Sequence, residues 1–117
     1  MTVNRAPSLT PAAFQVLLAL AAGEAHGYAV MRFVEQLTAG TVRLGPGTLY
    51  RTIGRLLADG LVDEAEGGDP AAPHDARRRY YRLTPLGRQA AEAEAAQLQR
   101  LVAAAAQAGL LPAEEPT

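Results

Sequence analysis

The sequence contains no cysteine, and no apolar run approaches the ~20 residues that a membrane-spanning helix needs. The lack of cysteine excludes disulfides, zinc–thiolate sites and cysteine nucleophiles. The N-terminus also lacks the charged-then-apolar pattern of an export signal, so we expect a cytoplasmic protein with no membrane partner. A length of 117 residues indicates one domain with a modest core.

Lysine is absent as well, so all 11 basic residues are arginine. The formal net charge of −1 argues weakly against a nucleic-acid partner, but the distribution of charge is more informative than its sum. Most of the arginines lie between Arg43 and Arg88. The densest cluster comprises Arg77, Arg78, Arg79 and Arg82. The middle of the chain is therefore locally basic, whereas its final stretch is mildly acidic.

Hydrophobic periodicity and turn residues predict four helices and a β-hairpin. Thr10-Pro11 and Thr84-Pro85 are helix starts, because a hydroxyl N-cap precedes a proline at the first helical position. We predict helices over residues 11–22, 27–38, 46–59 and 85–108, and strands over residues 41–44, 61–65 and 77–83. The glycine- and proline-rich stretch 66–76 is predicted to be a loop.

Three helices followed by a hairpin and a long helix are typical of a winged helix-turn-helix protein, in which the hairpin loop is the wing. The predicted fold class is mainly α with a small β-hairpin, extended by a long C-terminal helix. We expect a winged helix-turn-helix DNA-binding domain over residues 1–84, a dimerisation helix over 85–108 and a flexible tail over 109–117.

The third predicted helix carries the residue types that a major-groove reader needs. Thr48 and Tyr50 lie in its first turn, and Arg51 and Arg55 follow on one face because they are four residues apart. Arginine can bind O6 and N7 of guanine together, and N–H groups at a helix start favour phosphate. By itself the segment is equally consistent with an amphipathic helix that has a solvated basic face.

The predicted hairpin places a second basic element beside this helix. Arg77 and Arg78 could follow a minor groove or the phosphates, although a solvated charge run is the alternative. Acidic residues in the same region weaken the positive patch, so we expect salt-sensitive binding of moderate strength. Tyr80 and Tyr81 point to opposite faces of the strand, and we expect at least one in the core. The candidate DNA contacts are Tyr28, Arg43, Thr48, Tyr50, Arg51, Arg55, Arg77 and Arg78.

The fourth helix is too long for the preceding helices to cover. Small and apolar residues recur along it at spacings of four and three, as in a coiled-coil seam, and Leu101 widens the row. The row comprises Ala91, Ala95, Leu98, Val102 and Ala105. A monomer would leave this stripe in water, so we expect a homodimer, with packing on the first helix of the same chain as the alternative. A two-fold dimer suits double-stranded DNA with a palindromic operator.

Four short motifs occur in order within residues 9–100. They are His26-Gly27-Tyr28, Gly47-Thr48-Leu49-Tyr50, Arg55-Leu56 with Asp59-Gly60-Leu61-Val62, and Arg79-Tyr80-Tyr81-Arg82-Leu83-Thr84 with Gly87. In these motifs the sequence resembles the PadR-like transcriptional regulators, in particular the short-tailed branch with a single final helix.

The resemblance implies a dimeric bacterial repressor, often relieved by a small molecule such as a phenolic acid or a drug. For some members it implies a flat apolar ligand between the subunits, held by an aromatic residue of the last helix. This sequence departs from that pattern, because no aromatic residue follows Tyr81 and Leu98 occupies the middle of the helix. Gly27 is expected to permit close packing or a tight helix entry, and Tyr28 either binds phosphate or packs.

Other functional classes have less support from the residues. His26 begins a predicted helix, where a capping or phosphate contact is expected, and His74 lies in a loop that suits preorganised catalysis poorly. We find no glycine-rich phosphate loop, metal-ligand cluster or nucleophile elbow, so we expect no enzyme, no metal and no cofactor. A winged-helix module that binds protein instead of DNA stays open, and the placement of Arg51, Arg55 and Arg77 relative to the acids discriminates the two.

Overall fold

A computed structural model describes residues 9–65 and 79–112. The elements in chain order are α1 (Pro11–Ala21), β1 (Ala25–His26), α2 (Gly27–Leu37), α3 (Pro46–Ala58), β2 (Val62–Ala65), β3 (Tyr80–Leu83) and α4 (Pro85–Gln107). The predicted loop and the candidates His74, Arg77 and Arg78 lie outside the described residues. Four helices and a small antiparallel sheet confirm the predicted fold class.

Three of the helices begin at side chains that cap them. The Thr10 hydroxyl accepts a hydrogen bond from the backbone N–H of Ala13 at 3.1 Å, and the Thr84 hydroxyl accepts one from Gly87 at 2.9 Å. Nδ1 of His26 accepts from the backbone N–H of Ala29 at 3.1 Å, which confirms a capping role for this histidine. Each cap satisfies an N–H that has no partner within its own helix.

The core forms where the aliphatic faces of the helices meet the sheet, and α1 contacts α2, α3, α4 and β3. Tyr81 is 3% exposed and belongs to this core, which confirms that one of the paired tyrosines packs inward. The largest fully buried side chains are Val16, Leu17, Val30, Val34, Leu49, Ile53, Leu56 and Val62. Within the described ranges no helix is both long and apolar enough to cross a membrane.

The sheet has the strand order β1-β3-β2, with both pairs antiparallel. The two-residue strand β1, which pairs Ala25 with Tyr81 and His26 with Tyr80, was not predicted because it is too short to show an alternating pattern. The strand predicted over residues 41–44 is wrong. The Thr38 hydroxyl accepts from the Val42 N–H at 3.1 Å, so a side chain takes the place of a strand partner there.

A hydrogen-bonded junction joins the end of α3 to the start of α4. The Thr84 hydroxyl donates to the carbonyl oxygen of Gly60 at 2.7 Å, and the Thr84 N–H donates to that of Leu61 at 3.1 Å. One threonine therefore caps α4 and holds the chain that leaves α3. This junction fixes the direction of α4 relative to α3.

The long helix α4 packs on its own domain only at its N-terminal end. Ala90 is buried and Ala91 packs against the core. Further along, Leu98, Leu101 and Val102 are 37%, 59% and 54% exposed. Ala91, the first residue of the predicted seam, thus packs within its own chain, as the alternative to dimerisation predicted. The larger apolar residues remain exposed to solvent.

The turn after α2 contains a strained alanine. Ala39 has a φ of 53°, in the left-handed region where a Cβ costs free energy. We expect Ala39→Gly to raise the free energy of unfolding by about 1 kcal/mol, measured by urea denaturation. The matched control Ala103→Gly, in the exposed part of α4, should lower it by about the same amount. A lower stability of Ala39→Gly than of the parent would contradict the left-handed conformation.

Candidate nucleic-acid interface

The helix α3 buries one face and exposes the other. Leu49, Ile53 and Leu56 are at most 2% exposed and anchor the helix to the core. Thr48, Tyr50, Arg51 and Arg55 are exposed, so α3 brings four of the predicted candidates to the surface. The hydrophobic spacing of the sequence thus determines which polar residues face outward.

The first turn of α3 differs from those of the other three helices. Its N-cap is Gly45, which offers no side-chain hydrogen bond, and Pro46 follows at the first helical position. No side chain in the described ranges accepts a hydrogen bond from the backbone N–H groups of Gly47 and Thr48. N–H groups at a helix start, together with the helix dipole, attract phosphate.

Arg51 reaches back along the helix toward this first turn. Its Nη2 lies 3.9 Å from the position that a Cβ on Gly47 would occupy. Arg51 forms no ion pair with any described residue, whereas Nε of Arg55 lies 3.9 Å from Oδ2 of Asp59. That pair is long and its arginine side chain is 81% exposed, so it holds Arg55 weakly. Both guanidinium groups are available to an anionic partner.

Tyr50 joins α3 to the start of α2. Its hydroxyl oxygen lies 2.8 Å from the place where a Cβ on Gly27 would stand, and Leu49 Cδ2 lies 3.3 Å from the same point. Glycine at position 27 therefore permits the close packing that the sequence suggested. Tyr50 is still 52% exposed, so it can contact a partner while it holds the two helix starts together.

A cluster of aromatic and basic side chains surrounds the start of α2. The rings of His26 and Tyr28 stack with centroids 6.4 Å apart, and the edge of Tyr80 meets His26 at 5.3 Å. The guanidinium carbon of Arg32 lies 5.9 Å from the ring centroid of Tyr28. Sequence reasoning missed Arg32, although its position four residues after Tyr28 could have revealed it. Tyr28 is 55% exposed, so its ring is accessible to a partner.

The described part of the hairpin carries two acidic residues close to its two arginines. Nη1 of Arg79 lies 3.1 Å from Oε1 of Glu64, and Arg82 stands opposite Asp63 in the strand register. The ion pair partly neutralises Arg79, in contrast to Arg51. Arg43, in the loop before α3, is exposed and has no ion pair with a described residue. The basic surface is therefore centred on α3 and not on the described strands.

The buried tyrosine of β3 belongs to the core and has a raised pKa. Burial raises the pKa of the Tyr81 hydroxyl, and the neighbouring Tyr50 and Glu64 raise it further, while Arg79 acts in the opposite direction. Tyr81 is consequently neutral at ordinary pH and serves as a packing residue of the core. Among the described residues no group of three histidine, aspartate or glutamate side chains could hold a metal ion.

Two curated proteins resemble the chain in sequence. An uncharacterized 37.1 kDa protein in transposon TN4556 of Streptomyces fradiae is 43% identical over 86 residues, covering 74% of this chain and 22% of that protein. The transcriptional regulator Rv3488 of Mycobacterium tuberculosis is 44% identical over 68 residues, covering 57% of this chain and 56% of the regulator. The chain thus spans only a fifth to about half of the length of these relatives.

Two solved structures resemble the fold. A PadR family transcription regulator from Clostridium difficile has a TM-score of 0.68 at 19% identity, over 84% of this chain and 97% of that one. The BpsR protein of Bordetella bronchiseptica has a TM-score of 0.64 at 27% identity, over 86% of this chain and 67% of that one. That structure concerns regulation of DNA binding by 6-hydroxynicotinic acid.

The family model described as the transcriptional regulator PadR-like family matches residues 16–93. The match covers most of the described chain, including α3 and the start of α4. The family so described is one of transcriptional regulators. The chain belongs to the PadR-like family of transcriptional regulators and has a winged-helix fold.

Proposed function

We propose that this chain represses transcription as a homodimer that binds a palindromic operator and that releases DNA when a small molecule binds. The single observation that carries the proposal is the exposed basic face of α3, on which Arg51 lies beside an uncapped helix start. Such a face matches the edges and phosphates of a major groove. A regulator of transcription acts where the DNA is, in keeping with the expected cytoplasmic location.

The candidate residues divide into two roles. Arg51 and Arg55 project from α3 and read base edges, because a guanidinium can bind a guanine with two hydrogen bonds. Thr48 and the N–H groups of the first turn bind phosphate. The surrounding residues Tyr28, Tyr50 and Arg43 position the helix through contacts to the sugar–phosphate backbone, which carry no sequence information. In this proposal the wing residues Arg77 and Arg78 follow the adjacent minor groove.

The dimer is formed through α4. The face that packs on α1 at Ala91 continues along the helix as Ala95, Leu98, Val102 and Ala105, with Leu101 beside it. Leu98, Leu101 and Val102 remain exposed in one chain. A second copy that covers them would remove a contiguous apolar stripe from water. Two-fold pairing would then present two α3 helices about 34–36 Å apart, one turn of duplex.

The arginines of α3 give the direct test. We expect Arg51→Ala and Arg55→Ala each to weaken binding to DNA from upstream of the chain's own gene by about 10- to 100-fold, because a bidentate contact contributes ~1–3 kcal/mol. Fluorescence polarisation with a labelled duplex measures the affinity. Arg100→Ala, an exposed arginine of α4, is the matched control and should bind like the parent.

Unchanged duplex binding by the α3 variants would contradict the proposal. If both α3 variants bind this duplex like the parent, Arg51 and Arg55 do not contact the DNA. Thermal unfolding of each variant should match the parent, since the side chains are exposed and make no buried contact.

The effector is proposed to be a small apolar or phenolic molecule. The Bordetella structure offers a precedent in which 6-hydroxynicotinic acid regulates DNA binding by that protein. This chain has no aromatic residue in α4, so an effector between the subunits would rest on Leu98 and its aliphatic neighbours. Polarisation assays with candidate ligands test this part, since an effector should release the bound duplex.

The alternative function, a winged-helix module that binds protein, draws on one observation. Arg79 pairs with Glu64, and Arg82 stands opposite Asp63, so the described wing is nearly neutral. Contacts to phosphate make the affinity of a protein for DNA fall steeply as the salt concentration rises, and a protein-binding module lacks this dependence. A shallow salt dependence of duplex binding would therefore favour this alternative.

A further inference from the structure

A groove runs between α1, α3 and α4 on the side of α3 next to the proposed DNA-reading face. Its volume of about 640 Å³ lies in the range of small-molecule sites. The lining is mostly aliphatic, with Ala13, Leu56, Leu61, Leu86 and Ala90, and also includes the polar side chains of Thr10, Thr52 and Gln89. Leu86 is 51% exposed, so the groove leaves a large apolar side chain in contact with water.

The rim of this groove carries an excess of positive charge. Arg51 and Arg55 line it on the α3 side, and Asp59 is the single described carboxylate beside them. Asp59 pairs with Arg55 at 3.9 Å, whereas Arg51 has no ion pair among the described residues. The rim can therefore accept one negative charge at Arg51.

The lining also restricts the shape of the occupant. No aromatic side chain among the described residues lines the groove, so a flat ring would find no stacking partner. An alkyl chain can follow leucine and alanine side chains and can gain affinity with each methylene that it buries. The charge and the lining together indicate a molecule with a saturated chain and one anionic end.

The geometry points to a binding site for a medium-chain aliphatic carboxylate, whose chain fills the α1–α3–α4 groove and whose carboxylate binds Arg51. The site lies within one chain and is separate from a ligand position between subunits. A carboxylate bound there withdraws Arg51 from the surface of α3. The ligand and the DNA then compete for one side chain, and each weakens the binding of the other by the same factor.

Calorimetry with decanoate in the absence of DNA tests the site itself. We expect one decanoate per chain, an affinity that rises about fourfold per methylene from hexanoate to decanoate, and at least tenfold weaker binding of methyl decanoate. Ala93→Trp should fill the groove and abolish binding, since Ala93 lines it. Ala103→Trp, further along α4, is the matched control and should bind like the parent.

Equal binding of the acid and its methyl ester, or full binding by Ala93→Trp, would overturn the site. If Ala93→Trp does not fold, Arg51→Gln decides: at least tenfold weaker decanoate binding supports the site and unchanged binding overturns it. This part needs no DNA and so stands or fails apart from the proposed function.

The regulatory part depends on the proposed role of α3 and is tested by polarisation with the upstream duplex. Decanoate should weaken duplex binding by the parent at least tenfold and leave the Ala93→Trp variant unaffected. Decanoate that binds the chain without displacing the duplex would overturn the competition. A parent chain that never binds the duplex, yet binds decanoate, would overturn the proposed function and leave the site supported.

Discussion

Gly87→Ala is expected to lower the free energy of unfolding by more than about 3 kcal/mol, or to prevent folding. The new Cβ would overlap the carbonyl oxygen of Leu61 and would lie 2.9 Å from both the carbonyl carbon of Leu61 and Cδ1 of Leu83. The overlapped atom belongs to the backbone and accepts the hydrogen bond of Thr84 N–H at 3.1 Å. It cannot move without breaking the junction between α3 and α4.

Urea denaturation measures this effect, and Gly54→Ala is the matched control. Gly54 lies in the middle of α3 with nothing within 4 Å of a built Cβ, so alanine there should stabilise the protein by about 1 kcal/mol. A loss below 1 kcal/mol for Gly87→Ala would mean that the contact between α4 and Leu61 can relax.

Leu101→Glu combined with Val102→Glu is expected to convert the proposed dimer into monomers. These side chains are 59% and 54% exposed in one chain, so the fold should survive while a buried pairing surface would receive four charges per dimer. Light scattering should report the 12.3 kDa mass of one chain in place of twice that value.

Loss of the dimer should lower the affinity for the operator by about a hundredfold or more, about 2.8 kcal/mol, because only one α3 helix remains per complex. Ala103→Glu, an exposed alanine of α4 outside the seam, is the control and should stay dimeric. A parent chain that already has the single-chain mass at micromolar concentration would contradict the dimer. A dimer that persists in the double variant would place the pairing surface elsewhere.

Features that depend on neighbours in the sequence were predictable. Thr10 and Thr84 indicate helix starts, because each hydroxyl accepts a hydrogen bond from a backbone N–H only three residues away. The buried row of α3 follows from helical spacing, so the exposure of Arg51 and Arg55 follows as well. The dimer seam was readable as a pattern along α4, and its use by a second chain stays a prediction.

Features that depend on distant residues were not predictable in the same way. β1 exists because Ala25 and His26 meet Tyr81 and Tyr80 more than fifty residues later in the chain. The strand predicted over residues 41–44 failed for a local reason, because the hydroxyl of Thr38, four residues earlier, accepts from the Val42 N–H and outweighs the β propensity of Val42. The placement of Arg32 against Tyr28 is local and was simply overlooked.

The amino-acid sequence by itself determined the helices, their caps, the polar face of α3 and the family, since these rest on short-range spacing and on motifs. Only the tertiary structure decided that Tyr50 rests on Gly27, that Glu64 pairs with Arg79, and that an apolar groove opens beside Arg51. The physical reason is that such contacts join residues far apart in the chain. Their distances are set by how the whole core packs, which no local pattern specifies.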